Sequence, residues 1–340
     1  MQGVVQIGVV GLGYWGSNVA RNLEGIDACE LSWCCDTSEE SRARAQEALP
    51  GARLTGELDD LLADGSLDAV AVATPVSTHA ELAERVLAAG KHCFVEKPMA
   101  QSAAEAERLA GIAEESGLVL MAGHLLEYHP GVEALRELVG SGELGEVHYV
   151  YSQRLNLGKL RADENALWSL GAHDVSVVLA LTGEAPVAVS ARGESYVRDR
   201  VEDVVFCHLR FASGVTAHMH LSWLDPHKER RFTVVGSQRM ASFDDMAEER
   251  KLTVYDKGFD ADAVAAGEFV ARSGDAHNPP LADVEPLRVE CEHFIECVRS
   301  GEQPRTDGGS GVRVVRVLEA LQASLEAGGE PVAPPRKIAA

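Results

Sequence analysis

The sequence predicts an α/β protein: an N-terminal doubly wound parallel sheet, then an α+β half with a large, mostly antiparallel, open sheet. Three observations predict it. Over the first ~120 residues, short β-branched and apolar runs alternate with helical patterns, as in a parallel sheet covered on both faces. A glycine-rich turn follows the first of these runs. After about Gly123, longer runs with strand character take over, and the turn Ser213-Gly214 joins two of them. A chain of 340 residues has room for two cores, and its 46% apolar fraction is that of a globular protein. The expected division is a first domain over residues 1–123, a second over 124–330, and a loosely held Pro- and Ala-rich tail over 331–340.

The elements follow in order. Residues 4–10 read as a strand and about 15–23 as a helix. Residues 31–35, 69–74 and 92–96 read as further buried strands. Ser77 and Thr78 offer a cap to a helix carrying Leu82, Val86 and Leu87. A helix over 103–116 leads to a strand over 119–122. Past it, a helix near 131–139 precedes strands at 147–155, 187–197, 204–211, 215–224, 231–235 and 252–255. Residues 261–283 show no periodicity and read as an excursion. Helices over about 285–299 and 311–326 close the chain.

Composition excludes some roles. With 53 acidic against 31 basic side chains the net charge is −22, which repels phosphate backbones and anionic lipid. Neither nucleic acid nor membrane is expected as a partner. The charge splits evenly between residues 1–124 and the rest, about −11 each, which suits solubility better than one acidic mouth. No signal-peptide pattern opens the chain and no run reaches ~20 apolar residues. Cys29, Cys34, Cys35, Cys93, Cys207, Cys291 and Cys297 form no C-x-x-C pair, so reduced thiols in a cytoplasmic protein are expected.

Gly11-Leu12-Gly13-Tyr14-Trp15-Gly16 is a G-x-G-x-x-G placed after a strand and opening a helix, the context of a dinucleotide-binding Rossmann turn. Gly11 makes the turn, Gly13 admits a pyrophosphate, Gly16 lets helix and strand pack, and the helix N-terminus faces the anion. Twenty residues past Gly16, Asp36 ends a strand, placed to accept hydrogen bonds from a ribose diol. A 2′-phosphate would meet like charge there, and neither Thr37 nor Ser38 is basic, so NAD is expected over NADP. Glu96-Lys97-Pro98 ends another parallel strand, where ligands of such sheets bind. His124, just past the next strand, lies toward the nicotinamide by position.

Arg154, Lys159 and Arg161 form a local basic cluster able to grip a diphosphate or carboxylate. A solvated basic turn is the alternative. Asn156, Glu164 and Asn165 suit sugar hydroxyls. His218 and His220 share a strand face with Thr216 and Ser222, but no third ligand is spaced for a metal, so a polar sheet face is expected.

Together the glycine loop, Thr74-Pro75 with His79, Glu96-Lys97-Pro98 and Gly171-Ala172-His173-Asp174 resemble the Gfo/Idh/MocA oxidoreductases. The closing Pro286-Leu287, His293-Phe294 and Ser300-Gly301 are similar to that family's last helices. Asn156-Leu157-Gly158-Lys159 and Glu164-Asn165-Ala166-Leu167-Trp168-Ser169 look like its branch that oxidises nucleotide-linked sugars at C3. The resemblance implies NAD-dependent oxidation of a sugar hydroxyl. It assigns catalysis to Lys97 and His173, and cofactor contacts to Gly11, Gly13, Tyr14, Trp15, Gly16, Asp36, Thr37, Thr74, Pro75, His79, Glu96, Lys97 and His124. Substrate contacts fall to Arg154, Asn156, Lys159, Arg161, Asn165, Ser169 and Asp174, the last in a supporting role.

One departure stands out. Many members carry Asp four residues before the histidine, where this chain has Ser169. Serine is no anionic base at neutral pH, so His173 becomes the expected base and Lys97 its electrostatic partner. The family usually covers its open sheet by forming dimers or tetramers, so a homo-oligomer is expected. An aminoglycoside or sugar-phosphate substrate, a reductase running in reverse, and a non-catalytic dinucleotide-binding regulator remain the alternatives.

Overall fold

The computed structural model describes residues 3–158, 160 and 164–335. The chain divides into two compact units, one of residues 1–128 and 284–315, the other of 129–283 and 316–340. In chain order the first unit contains β1 (Val5–Val10), α1 (Tyr14–Glu24), β2 (Cys29–Cys35), α2 (Glu39–Ala48), β3 (Arg53–Thr55), α3 (Leu58–Leu62), β4 (Ala69–Val72), α4 (His79–Ala88), β5 (His92–Glu96), α5 (Ala103–Ser116) and β6 (Leu120–Gly123). The second contains α6 (Pro130–Gly140), β7 (Val147–Leu157), α7 (Ala172–Thr182), β8 (Ala188–Glu194), β9 (Val204–Arg210), β10 (Thr216–Ser222), β11 (Leu224–Gly236), β12 (Met240–Asp244), β13 (Leu252–Phe259), α8 (Ala261–Ala265) and β14 (Ala271–His277). The chain then returns to the first unit with α9 (Pro286–Ser300), and the boundary between the units falls within α10 (Gly308–Glu326).

The first unit is a six-stranded parallel sheet in the order β3-β2-β1-β4-β5-β6. Its central strands are apolar because both faces are covered; every residue of β4 and β6 is buried. The strand order reverses beside β1, so a crevice opens at the carboxyl ends of β1 and β4. Residues 284–315 join this unit, although the sequence expectation assigned them to the second domain. The reason is apolar packing: the Phe294 ring of α9 meets Phe94 of β5 edge-on at 5.8 Å. Glu285, just before α9, pairs with Arg21 of α1 at 2.6 Å.

The second unit is an eight-stranded sheet, β14-β13-β12-β11-β7-β10-β9-β8. All its pairings are antiparallel except β7 with β10. Alternation sets its two faces. Val205, Cys207 and Leu209 of β9 are buried, while Phe206 and Arg210 are exposed. Met219 and Trp223 are buried, and His218 takes the opposite, open side. Gly131 at the start of α6 has no Cβ because the Phe243 ring of β12 occupies that space.

Four local expectations change. Residues 261–283 are not structureless: they include α8 and the edge strand β14. The side chains of β14 are largely exposed, which removes the hydrophobic periodicity that would have marked it. Ser77 and Thr78 lie in a short 3-10 turn, with no side-chain cap on α4. Val332 exchanges backbone hydrogen bonds with Val189 at 2.7 and 2.8 Å, so the start of the tail is tied; residues 336–340 lie outside the described residues. A π-helical turn, Leu167–Gly171, precedes α7, so Ser169 and His173 are not related by one regular α-helical turn.

Candidate active site

The carboxyl ends of the parallel strands gather the first unit's polar residues. Gly11 has φ +90°, and a Cβ there would lie 2.7 Å from the Ala73 carbonyl oxygen. A Cβ on Gly16 would overlap the Gly11 carbonyl oxygen, whereas Gly13 faces open space. The helix α1 has no side-chain cap at Gly13, leaving its first amides for an anion. The turn thus fits a pyrophosphate, and NAD is the group this half is built to hold.

Asp36 lies just past β2. Its Oδ2 accepts the Leu12 N–H at 2.6 Å and its Oδ1 the Ser38 N–H at 2.8 Å, which ties the carboxylate to the glycine turn. Each oxygen keeps a further lone pair for a ribose hydroxyl. The expectation that no basic residue attends this position changes. Arg42, one turn into α2, donates from Nη1 to the carbonyls of Asp36 (2.6 Å) and Thr37 (3.0 Å). Thr37 therefore serves as a backbone clip. Its partner sits five residues further on, beyond the two positions that the sequence pattern points to.

Glu96 is buried at the end of β5. Its Oε1 accepts the indole N–H of Trp15 and its Oε2 the backbone N–H of Lys97 at 3.2 Å. Burial pushes this carboxyl up to about 7, against the lowering effects of the Lys97 charge, the Trp15 hydrogen bond and the Lys97 amide. Lys97 itself is half-buried. His124 is fully buried, and neither of its ring nitrogens has a hydrogen-bond partner among the described residues. Burial, with the Lys97 and Arg313 charges, pushes it down to about 3, so it is a neutral imidazole with donor and acceptor unmet. Such a group suits a polar ligand at the crevice.

His79, an expected cofactor contact, is held between two segments of the protein. His79 is buried between the carbonyls of Pro98 (2.9 Å from Nδ1) and Thr74 (2.8 Å from Nε2). Burial lowers its pKa, so the neutral ring donates its one N–H to one of these carbonyls and sits between the Thr74-Pro75 turn and the segment after Lys97. Tyr14 is 86% exposed at the start of α1, beside the half-buried Trp15 ring at 6.4 Å.

In the second unit, His173 sits half-buried in the first turn of α7. The next residue, Asp174, is 0% exposed. Its Oδ1 accepts from Arg154 Nε at 2.6 Å and its Oδ2 from Ser152 Oγ at 2.7 Å. Asp174 therefore does not reach substrate; it locks the His173 turn onto β7. Arg154 is correspondingly a buried partner, not part of a solvent-facing basic cluster. Losing either member would strand a buried charge at about 3–5 kcal/mol. Lys159 and Arg161 lie outside the described residues.

Asn165 is likewise committed: its Oδ1 caps the Trp168 N–H at 3.1 Å, and its Nδ2 donates to Glu202 and Gln322. Asn156 differs. Its Oδ1 is buried with no partner among the described residues, an acceptor suited to a hydroxyl. Ser169 is buried within the π-helical turn. Among the described residues no group of three or more His, Cys, Asp or Glu side chains could hold a metal ion, and no helix is long and apolar enough to cross a membrane.

The fold and glycine turn define a dinucleotide-binding oxidoreductase. Residues 5–124 match the Gfo/Idh/MocA oxidoreductase family with its NAD-binding Rossmann fold, and residues 132–242 match that family's C-terminal domain. The chain belongs to this family. It is similar to the UDP-N-acetylglucosamine 3-dehydrogenase of Acidithiobacillus ferrooxidans, at 30% identity over 95% of this chain and 98% of that one, with a TM-score of 0.82 between the structures. GenD2 from gentamicin A biosynthesis, solved in complex with NAD, is 28% identical, covers 98% of this chain and 97% of its own, and gives a TM-score of 0.82. The myo-inositol 2-dehydrogenase of Thermotoga maritima is 26% identical over 95% of this chain and 96% of its own.

The buried carboxyl generates a pH prediction. Glu96 is raised from 4.5 to about 7, so its protonated form stabilises the fold; that contribution is complete below 4.5 and is lost as pH rises through about 7. Glu96→Gln keeps the shape and the acceptor but cannot ionise. In thermal unfolding, the melting temperature of the wild type minus that of the variant is expected to fall between about pH 4.5 and 7.5. A pH-independent difference would show that Glu96 does not titrate in the folded protein.

Proposed function

We propose that this protein oxidises a hydroxyl of a nucleotide-linked amino sugar, at C3, with NAD. The observation that carries the reading is Lys97 at the carboxyl end of β5, beside a buried carboxyl and a neutral His124 with unmet polar atoms. The likeness to the UDP-N-acetylglucosamine enzyme over nearly the whole chain supports the substrate class.

NAD⁺, when bound, would supply the acceptor for a hydride from the carbinol carbon. The α1 amides and Gly13 would hold its pyrophosphate, and Asp36 its adenosine ribose. The Lys97 ammonium steadies the alkoxide as it forms, and a ring nitrogen of His173 takes the hydroxyl proton. Asp174 and Arg154 act one step back by fixing the His173 turn. Retention of Lys97 speaks against a non-catalytic regulator. GenD2 supports a second reading, an aminoglycoside substrate. Seven unpaired, buried cysteines support a cytoplasmic setting.

The open face of the eight-stranded sheet shows Phe206 (55% exposed) stacked on His220 at 4.3 Å, with Tyr149 and Tyr151 stacked nearby on β7. Such a face supports burial in a homodimer or homotetramer. Sedimentation equilibrium is expected to give a multimer; a monomer at micromolar concentration would overturn this.

The activity test is NADH formation with UDP-N-acetylglucosamine and its uronate, with aminoglycosides in parallel. Lys97→Ala is expected to lower turnover at least about a hundredfold. Turnover of aminoglycosides alone would favour the second reading. No turnover of any of them, or an unchanged rate in the variant, would refute the proposal.

A further inference from the structure

We propose that the loop joining β8 to β9, residues 195–203, is the subsite for the nucleoside diphosphate carrier: Tyr196 stacks on the base, and Arg198 and Arg200 pair with the phosphates. This rests on the nucleotide-sugar reading above and gives that reading a location.

The placement comes from the hydrogen bonds at the loop's base. Glu202 accepts the Ala166 N–H on its carbonyl at 2.9 Å and the Asn165 amide on Oε2 at 2.6 Å. The Asp203 carbonyl accepts the Trp223 N–H at 2.9 Å, and the Trp223 carbonyl accepts the Gly158 N–H at 3.1 Å. The loop is thereby fastened to the segment leading into the His173 helix and to the end of β7. That strand end carries Asn156 and its unpartnered Oδ1.

The loop is also held in shape. Asp203 is fully buried, and its Oδ2 accepts the N–H groups of Tyr196 (2.7 Å) and Val197 (2.8 Å). With the backbone pinned from inside, the Tyr196 side chain stands 71% exposed. An aromatic ring gains no burial there, and ordering it in advance lowers the entropic cost of stacking on a ligand. Arg200 has φ +63°, a left-handed conformation that a non-glycine residue adopts at a cost. Glycine would adopt it freely, so the guanidinium is retained against the backbone preference.

The chemistry selects the ligand. A guanidinium presents paired donors that match phosphate oxygens, and a phenol ring stacks on any nucleobase. Of the loop's three acids, Glu202 and Asp203 are engaged with Asn165 and the loop amides, and Asp199 is the loop's one exposed acid. Arginine side chains at this position disfavour a polycation, which sets the nucleotide-linked sugar above the aminoglycoside.

The test uses UDP and the intact protein. Isothermal titration is expected to show UDP binding that weakens at least about fivefold in Tyr196→Ala and at least about tenfold in Arg198→Ala and Arg200→Gly, with NAD affinity unchanged. Arg200→Gly separates recognition from folding, because it relieves the left-handed strain. Its melting temperature should stay level or rise while UDP affinity falls. In turnover of UDP-N-acetylglucosamine the loss should be carried by KM more than by kcat. Inorganic phosphate, lacking a base, should bind more weakly than UDP and be insensitive to Tyr196→Ala. Unaltered UDP affinity in all three variants would overturn the subsite while leaving the dehydrogenase reading standing. A protein that binds no UDP yet oxidises an unlinked sugar would overturn both the subsite and the nucleotide-linked substrate.

Discussion

The structure of the first unit turns on a buried acid, the Glu96 carboxyl at the end of β5. In an apolar surrounding such a group is tolerated only with donors and an opposite charge close by. Trp15 sends its indole N–H from the first turn of α1, the Lys97 amide folds back, and the Lys97 charge opposes burial. One acid thus connects the first turn of α1 to Lys97 at the end of β5. The same Lys97 charge, with burial, keeps His124 neutral. Behind them Glu290 is fully buried, and neither of its carboxyl oxygens has a partner among the described residues. Burial, with the Glu96 and Glu127 charges, pushes it well up, so it sits as an uncharged acid. Glu290 is thus uncharged, and Glu96 titrates near neutral pH beside the Lys97 charge.

The second unit solves a matching problem with a different pair. His173 stands in the first turn of α7, just past a π-helical turn, where a helix is easily misplaced. Its neighbour Asp174 reaches to β7 and binds both Ser152 and Arg154. The register of the helix is thereby fixed to the sheet by a buried ion pair, and the imidazole inherits that rigidity. Asn165 performs a similar service ahead of the turn, holding Trp168, Glu202 and Gln322 together.

Features that depend on the backbone alone were legible in the sequence. Gly11 is dictated by a left-handed turn and Gly16 by its close packing on Gly11, while Asp36 and Lys97 follow from their positions at strand ends. What a polar side chain touches was much less legible, because its partner comes from far along the chain. His79, expected at the cofactor, sits between the carbonyls of Thr74 and Pro98. Arg154 and Asp174 each looked like substrate contacts, and across 20 residues they neutralise each other. Arg42 reaches back to Asp36 over a helical turn. The strand β14 gives no signal, since an exposed edge strand carries no apolar alternation. The Tyr196 loop carries no motif; only its exposure beside the buried Asp203 marks it.

The proposed function assigns Lys97 and His173 to one proton-transfer step. A double-mutant cycle on single-turnover NADH formation tests it most directly, using Lys97→Ala, His173→Ala and the double variant with the substrate the wild type oxidises. Residues acting together in one step are grossly non-additive. The account predicts that the double variant is about as slow as the slower single variant. A double variant slowed by the full product of the two separate losses would contradict it.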